Sequence, residues 1–167
     1  MKKIKKNLFL FFIKLLPALK FNKLKKYLIE GIGHKIGRDC VIASSVRFLG
    51  SFRLVVGQNT FIGHYTKFLA GDNSKIEIGN NCDISSFVSI VTGTHEIDSI
   101  GPKSAGRGVA KNIKIEDGVW VGIGAIILPG VTIGRKSIIG AGSVVTKDIP
   151  SFNIAVGNPC KVIKRIE

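Results

Sequence analysis

Large apolar residues return every six positions along most of this chain. Ile36, Ile42 and Phe48 form one run, Val56, Ile62 and Phe68 a second, and Ile78, Ile84 and Ile90 a third. The longest run goes from Ile115 through Val121, Ile127, Ile133 and Ile139 to Val145. Glycine often follows, as at Gly37, Gly57, Gly79, Gly122 and Gly134. Four places after the apolar residue stands a small or modest one: Cys40, Thr60, Thr66, Cys82, Ala125, Val131, Ser137 or Ser143. A period of six matches neither the helical period of about 3.6 nor the simple alternation of a strand. It predicts a short strand and a corner per repeat, with one large side chain turned inward and glycine relaxing the backbone nearby. Such units bury their apolar faces only against one another, so the pattern predicts an all-β solenoid of stacked coils.

The period slips where residues are inserted. Phe68 and Ile78 are ten apart, four more than the repeat needs, with the surplus around AGDNSK. Ile90 and Ile115 are twenty-five apart, which opens a loop over about 92–112. Loops of that length in a compact repeat are usually functional or mobile. This one begins TGTHEID and carries His95, the only histidine of the three that sits beside acids, Glu96 and Asp98.

Residues 1–30, MKKIKKNLFLFFIKLLPALKFNKLKKYLIE, follow another pattern. Lysines interrupt an apolar stretch, Leu8–Ile13, that is far short of the roughly 20 residues a membrane span needs. No small-residue cleavage site follows, so a signal peptide is not expected. The segment reads as amphipathic helices broken near Pro17. Nine of its residues up to Lys26 are lysines and none is acidic, which leaves only five of the fourteen net charges to the other 141 residues. Two uses fit: the apolar faces pack on the body of the protein, or residues 1–26 attach in plane to an anionic membrane surface. Nucleic acid is not an expected partner, because no stacking or groove-reading motif accompanies the charge.

A length of 167 residues suits one repeat domain, residues 31–167, behind the 1–30 arm. Three cysteines, Cys40, Cys82 and Cys160, are an odd number without C-x-x-C spacing. They argue against a disulfide framework or zinc knuckle and for a reducing, cytoplasmic setting.

At VWVGIGAIILPGVTIGRKSIIGAGSVVTKDIP the sequence resembles the hexapeptide-repeat acyltransferases, specifically the sugar O-acetyltransferase branch with galactoside, maltose and capsule-modifying enzymes. The resemblance covers about residues 31–167. It implies a left-handed parallel β-helix of triangular section, a homotrimer, and acetyl-CoA lying in a groove between neighbouring coils. A loop from one subunit then reaches the next. By motif, His95 falls on the catalytic histidine, and a neutral imidazole suits a base that takes a proton from an attacking sugar hydroxyl. Glu96 or Asp98 is a candidate to orient it. Ala141, Thr146 and Lys147 match positions along the pantetheine and phosphates, and Lys161 and Lys164 match basic positions near the nucleotide. Cations there suit a polyanionic coenzyme. Trp120 matches a tryptophan near the acyl-transfer cleft. Galactoside-type relatives carry an asparagine near the acceptor where this chain reads FIGHYTKF, so His64 and Tyr65 become the acceptor-side candidates. N-acetylation of an amino sugar is the alternative reaction. A zinc site built from His34, His64 and His95, or a non-catalytic trimeric rod, are readings from other classes; no metal is expected.

Overall fold

Each hexad becomes a short strand and a corner, and three strands complete one coil of a parallel β-solenoid with about five turns. The computed structural model describes residues 2–98 and 100–166, with side chains from Ile4 onward. Met1 and the Lys2 and Lys3 side chains of the arm, Ser99 of the 92–112 insertion and the last residue, Glu167, lie outside the described residues.

Two helices, α1 (Lys2–Leu15) and α2 (Asn22–Glu30), precede the coils. The first coil holds β1 (Lys35–Ile36), β2 (Val41–Ile42) and the start of β3 (Arg47–Val56). β3 runs on into the second coil, which continues through β4 (Phe61–Ile62) and the start of β5 (Lys67–Ile78). The third coil is the end of β5, β6 (Asp83–Ile84) and β7 (Ser89–Val91). Then come β8 (Gly93–Ile97) and β9 (Ala105–Ala110), outside the solenoid. β10 (Ile113–Ile115), β11 (Trp120–Val121) and β12 (Ile126–Ile127) form the fourth coil. β13 (Thr132–Ile133), β14 (Ile138–Ile139) and β15 (Val144–Val145) form the fifth. An antiparallel pair, β16 (Asn153–Val156) and β17 (Lys161–Arg165), ends the described chain.

The register stacks the hexad residues in three columns. On the first face Ile36, Val56, Ile78, Ile115 and Ile133 align. On the second Ile42, Ile62, Ile84, Val121 and Ile139 align. On the third Phe48, Phe68, Ile90, Ile127 and Val145 align. All fifteen are buried. At roughly 1.5–3 kcal/mol for each fully buried aliphatic or aromatic side chain, these columns are the main favourable term.

The glycine after the hexad residue does a different job from the one expected. A Cβ on Gly57 would lie 2.6 Å from the Gly79 carbonyl carbon, and one on Gly122 would lie 2.6 Å from the Ala141 nitrogen. Neither has a positive φ. What they allow is close approach of the next coil's backbone, not an unusual conformation. The small residue four places on also joins coils. Thr60 Oγ1 donates to the Gly79 carbonyl at 2.9 Å, Thr66 Oγ1 to Ser85 at 2.9 Å and Ser137 Oγ to Pro150 at 2.7 Å. Cys40 and Cys82 occupy the same slot, their thiols on the carbonyls of Gly57 and Glu116 at 2.9 and 3.1 Å.

The helices cover the open end of the first coil. α1 stops before Pro17, whose ring disfavours helical backbone at Leu16. Ile13, Leu28 and Ile29 are buried, with Phe9, Leu10 and Leu16 packed against the core. Ser44 Oγ donates to the Leu16 carbonyl at 2.8 Å, and the Ser44 N–H to Ala18 at 3.1 Å. Lys25 is 1% exposed, and its ammonium donates to the carbonyls of Ala18 and Ile42, each at 2.7 Å. Burial pushes its pKa down. Of the two uses the sequence allowed for the arm, packing is therefore present along its inner side. Among the described residues no helix is long and apolar enough to cross a membrane.

Candidate active site

The insertion after β7 is not an irregular loop. β8 and β9 pair antiparallel, with Gly93 opposite Ala110 and His95 opposite Gly108. The hairpin leaves the corner between the third and first faces, at the level where the third coil gives way to the fourth. The earlier slip, around 70–75, is absorbed within β5 as an irregularity of its pairing. It pairs with β3, shifting register between Gly50 and Phe52, and forms a ridge under the hairpin. Buried Thr92 fastens the root. Its Oγ1 accepts from the Gly71 N–H at 3.0 Å and lies 2.7 Å from Ser74 Oγ, while its N–H donates to Leu69 at 3.0 Å. Sequence reasoning did not single out Thr92 or Ser74; the available signal was a hydroxyl residue opening TGTH and another within AGDNSK.

His95 stands on β8 with its side chain exposed. It lines a shallow cavity of about 390 Å³ with Gly71, Asp72 and the facing residues Gly108 to Ala110. Gly108 faces the imidazole at ordinary contact distance: a Cβ there would come 3.9 Å from Nε2. The neighbouring acids are engaged elsewhere. Glu96 accepts from Arg107 Nη2 at 2.8 Å, which holds its carboxyl below the ordinary value. Asp98 accepts from the N–H groups of Gly101 and Ile100 at 2.8 and 2.9 Å, with the same effect. Within one chain both acids thus shape the hairpin, and neither carboxylate is hydrogen-bonded to the imidazole.

The corner between the second and third faces forms a second feature. Going up the coils it carries Ser44–Ser45, His64–Tyr65, Ser86–Phe87, Ile123–Gly124 and Ala141–Gly142, laddered by Phe87 N–H to His64, Gly124 N–H to Ser86 and Gly142 N–H to Ile123 at 2.7–3.0 Å. In its upper half glycines hold the left-handed position, Gly124 and Gly142 at φ of 71° and 66°, beside half-exposed Ile123. Below, the same left-handed position is held by Tyr65 and Phe87 at 57° and 61°, unusual for bulky residues. Their rings are half-exposed and stack with centroids 5.2 Å apart. His64 lies behind, its Nδ1 3.2 Å from Ser45 Oγ. Phe87 was not among the residues the sequence singled out. Its signal was an aromatic in a corner slot that glycine fills elsewhere.

The remaining residues divide between these surfaces. Trp120 is half-exposed on the second face. It forms one row with Ile138, Ile154 and Lys164 across β11, β14, β16 and β17, and Lys161 lies on β17 opposite Val156. Ala141 is exposed at the corner just described, and Thr146 and Lys147 are exposed after β15. The second face lies opposite the corner from which the hairpin leaves. One chain therefore does not bring His95 together with Trp120, Lys161 or Lys164. A cavity of about 410 Å³ on the first face holds none of these residues, and its Lys114 and Glu116 pair with each other at 2.8 Å. His34 is buried against Leu54, and among the described residues no cluster of three metal-ligating side chains occurs.

The bacterial transferase hexapeptide (six repeats) family model matches residues 112–147. The galactoside O-acetyltransferase of Lactococcus lactis is 38% identical over 154 residues, covering 90% of this chain and 69% of that protein. This chain belongs to the hexapeptide-repeat transferase family. A relative from Schizosaccharomyces pombe is 45% identical over 116 residues, covering 70% of this chain and 55% of its own length. The chain thus spans little more than half of that member. Among solved structures, a galactoside acetyltransferase in complex with coenzyme A superimposes with a TM-score of 0.81 at 26% identity, covering 99% of this chain and 81% of that one. The hexapeptide-repeat match ends at Lys147, so the β16–β17 pair lies beyond it.

Proposed function

We propose that this chain is an acetyl-CoA-dependent O-acetyltransferase acting on a sugar hydroxyl, with His95 as general base. The observation that carries the reading is a coincidence of level. The aromatic half of the second–third corner meets its glycine half between the third and fourth coils, the height at which the hairpin presents His95. The glycine half, with Ala141 and the Trp120 row beside it and half-exposed Ile123 as an apolar contact, suits an extended pantetheine chain. Lys161 and Lys164, with Thr146 and Lys147, suit the phosphates and nucleotide. Tyr65 and Phe87 offer an apolar platform for a sugar ring, with His64 as a polar neighbour. The galactoside O-acetyltransferase relative and the coenzyme A-bound neighbour support this choice of chemistry.

The reaction then runs in a plain order. A neutral imidazole at His95 accepts the proton of the acceptor hydroxyl as its oxygen attacks the thioester carbonyl. The tetrahedral intermediate collapses, expelling the coenzyme A thiolate, which takes up the proton. Base catalysis of this kind contributes roughly 10²–10⁴ in rate.

The assembly is part of the proposal. His95 and the Trp120 row sit on opposite sides of one solenoid, so a homotrimer completes each cleft by setting one subunit's hairpin against another's second face. Cytoplasmic residence, with peripheral contact at the inner membrane face through residues 1–26, belongs to the same reading, and the acceptor is a saccharide of the envelope or capsule or its precursor. Mixing subunits tests the arrangement. His95→Ala and Trp120→Ala proteins, each depleted in activity, regain part of it when dissociated and reassociated together. No recovery in verified mixed trimers would place both residues in a cleft made by one chain.

A further inference from the structure

The arm that closes the coil leaves one side of α1 without a partner. Ile4, Leu8, Phe11, Phe12 and Leu15 are 46–75% exposed. At about 100° per residue they fall in a sector about 100° wide. Buried Ile13 and its neighbours Phe9, Leu10 and Leu16 occupy the opposite sector, against the core. Lys5 and Lys14 border the exposed sector on its two sides. Exposed Leu19 and Phe21 carry the apolar surface into the turn before α2.

Among the described residues, every hydrogen bond from the arm to the solenoid goes to the first coil or the segments flanking it. Lys6 Nζ donates to the Gly50 carbonyl at 2.7 Å, Ser44 bonds Leu16, and Lys25 bonds Ile42. The inner side of α1 therefore faces the solenoid's end and its outer side points away from it. We propose that this outer side seats on an anionic lipid surface and that the solenoid stands end-on, first coil nearest the membrane. Charge selects the occupant. Residues 1–26 hold nine lysines and no acid, so a second copy of the same face would set lysine against lysine. An anionic bilayer supplies counter-charge to the lysines and an apolar layer for the aromatic stripe.

The stance has a geometric consequence. Coils repeat about every 4.8 Å, and the helical layer adds about 10 Å. The His95 hairpin, leaving after the third coil, stands about 20 Å above the surface, and Trp120 in the fourth coil about 25 Å. Resting on the acetyltransferase reading, this height favours a saccharide carried on a lipid over a free sugar. In the proposed trimer three arms share one end, so weak individual contacts multiply.

The test uses the full chain and vesicles of phosphatidylglycerol mixed with phosphatidylcholine, against pure phosphatidylcholine. Co-sedimentation is expected with the anionic vesicles at low salt, reduced but not abolished at high salt, and weak with the neutral ones. Phe11→Gln/Phe12→Gln, at two exposed sites, is expected to bind about a hundredfold more weakly, about tenfold per aromatic, with unchanged oligomer mass and melting. Trp120, the chain's only tryptophan, reports the stance: lipids brominated on their acyl chains leave its fluorescence unquenched, whereas they quench a Phe11→Trp protein. The proposal is overturned by full-length protein that ignores anionic vesicles at low salt, by undiminished binding of the double variant, or by quenching of Trp120. A drop in oligomer mass in the double variant also overturns it, since the stripe is then a contact between copies. Vesicle binding needs neither acetyl-CoA nor acceptor, so failure of the enzymatic reading leaves this result standing.

Discussion

Acidification should destabilise this protein through one buried histidine. His34 is 5% exposed, its ring 5.2 Å from Phe48 and 5.1 Å from Phe52 by centroids, and its Nδ1 accepts the Leu54 N–H at 3.2 Å. Burial, with the positive charge of Lys6 second, pushes its pKa down from 6.5 to about 4. The folded state therefore holds the neutral ring over a range where the unfolded chain binds a proton. Stability is full above pH 6.5 and falls as pH drops toward 4. At about 1.36 kcal/mol per pH unit, the loss is roughly 2 kcal/mol at pH 5 and about 3.4 kcal/mol once both pKa values are passed. Urea unfolding at fixed protein concentration, at pH 7.5 and pH 5, measures it. His34→Asn keeps an acceptor near the Nδ1 position but removes the titration. Its packing loss is the same at both pH values, so the difference in slope between the two proteins isolates the histidine from the surface carboxylates. Parallel losses in both proteins would refute the argument.

Other expectations follow from the same geometry. Gly122→Ala puts a methyl group against the Ala141 backbone at 2.6 Å and should cost about 1–3 kcal/mol, read as a lower urea midpoint. Phe87→Ala should raise the acceptor KM several-fold, as expected for loss of an aromatic stacking contact worth about 0.5–1.5 kcal/mol, while the KM for acetyl-CoA stays put. Equal changes in both constants would separate Phe87 from the acceptor. Thr92→Val removes the hydroxyl that joins the hairpin root to Gly71 and Ser74. It should lower kcat more than coenzyme affinity, and unchanged kcat would show that the root does not position His95.

The solenoid was legible because its core rule is periodic within each run of hexads. Every hexad residue from Ile36 to Val145 points inward, and the slots holding Cys40, Thr60 and Ser143 are buried as well. What the pattern hid lies where the period lapses. Residues 92–112 carry no hexad, and the pairing of His95 with Gly108 depends on a non-local register that no local signal announces. The role of the hexad glycines was hidden for a related reason: Gly57 is constrained by a coil more than twenty residues away in sequence. Glu96 and Asp98 are orienting candidates because they adjoin His95 in sequence, and within one chain their carboxylates bond elsewhere. On a strand successive side chains turn to opposite faces, and Glu96 instead meets Arg107 across the hairpin. Packing of the arm on the body does not use up its apolar surface, because a helix has two sides: Ile13 is buried while Phe11 is exposed.

In the proposed reaction His95 drives acetyl transfer from acetyl-CoA to a sugar hydroxyl. Free-thiol release from acetyl-CoA, followed with a chromogenic disulfide across a panel of galactosides, maltose and envelope saccharide fragments, tests it directly. Release should depend on a hydroxyl acceptor and fall at least about a hundredfold in His95→Ala, with coenzyme A affinity nearly unchanged. Acceptor-dependent release that continues at a near-normal rate in the His95→Ala protein, or a panel on which the wild-type chain releases no thiol, would contradict it.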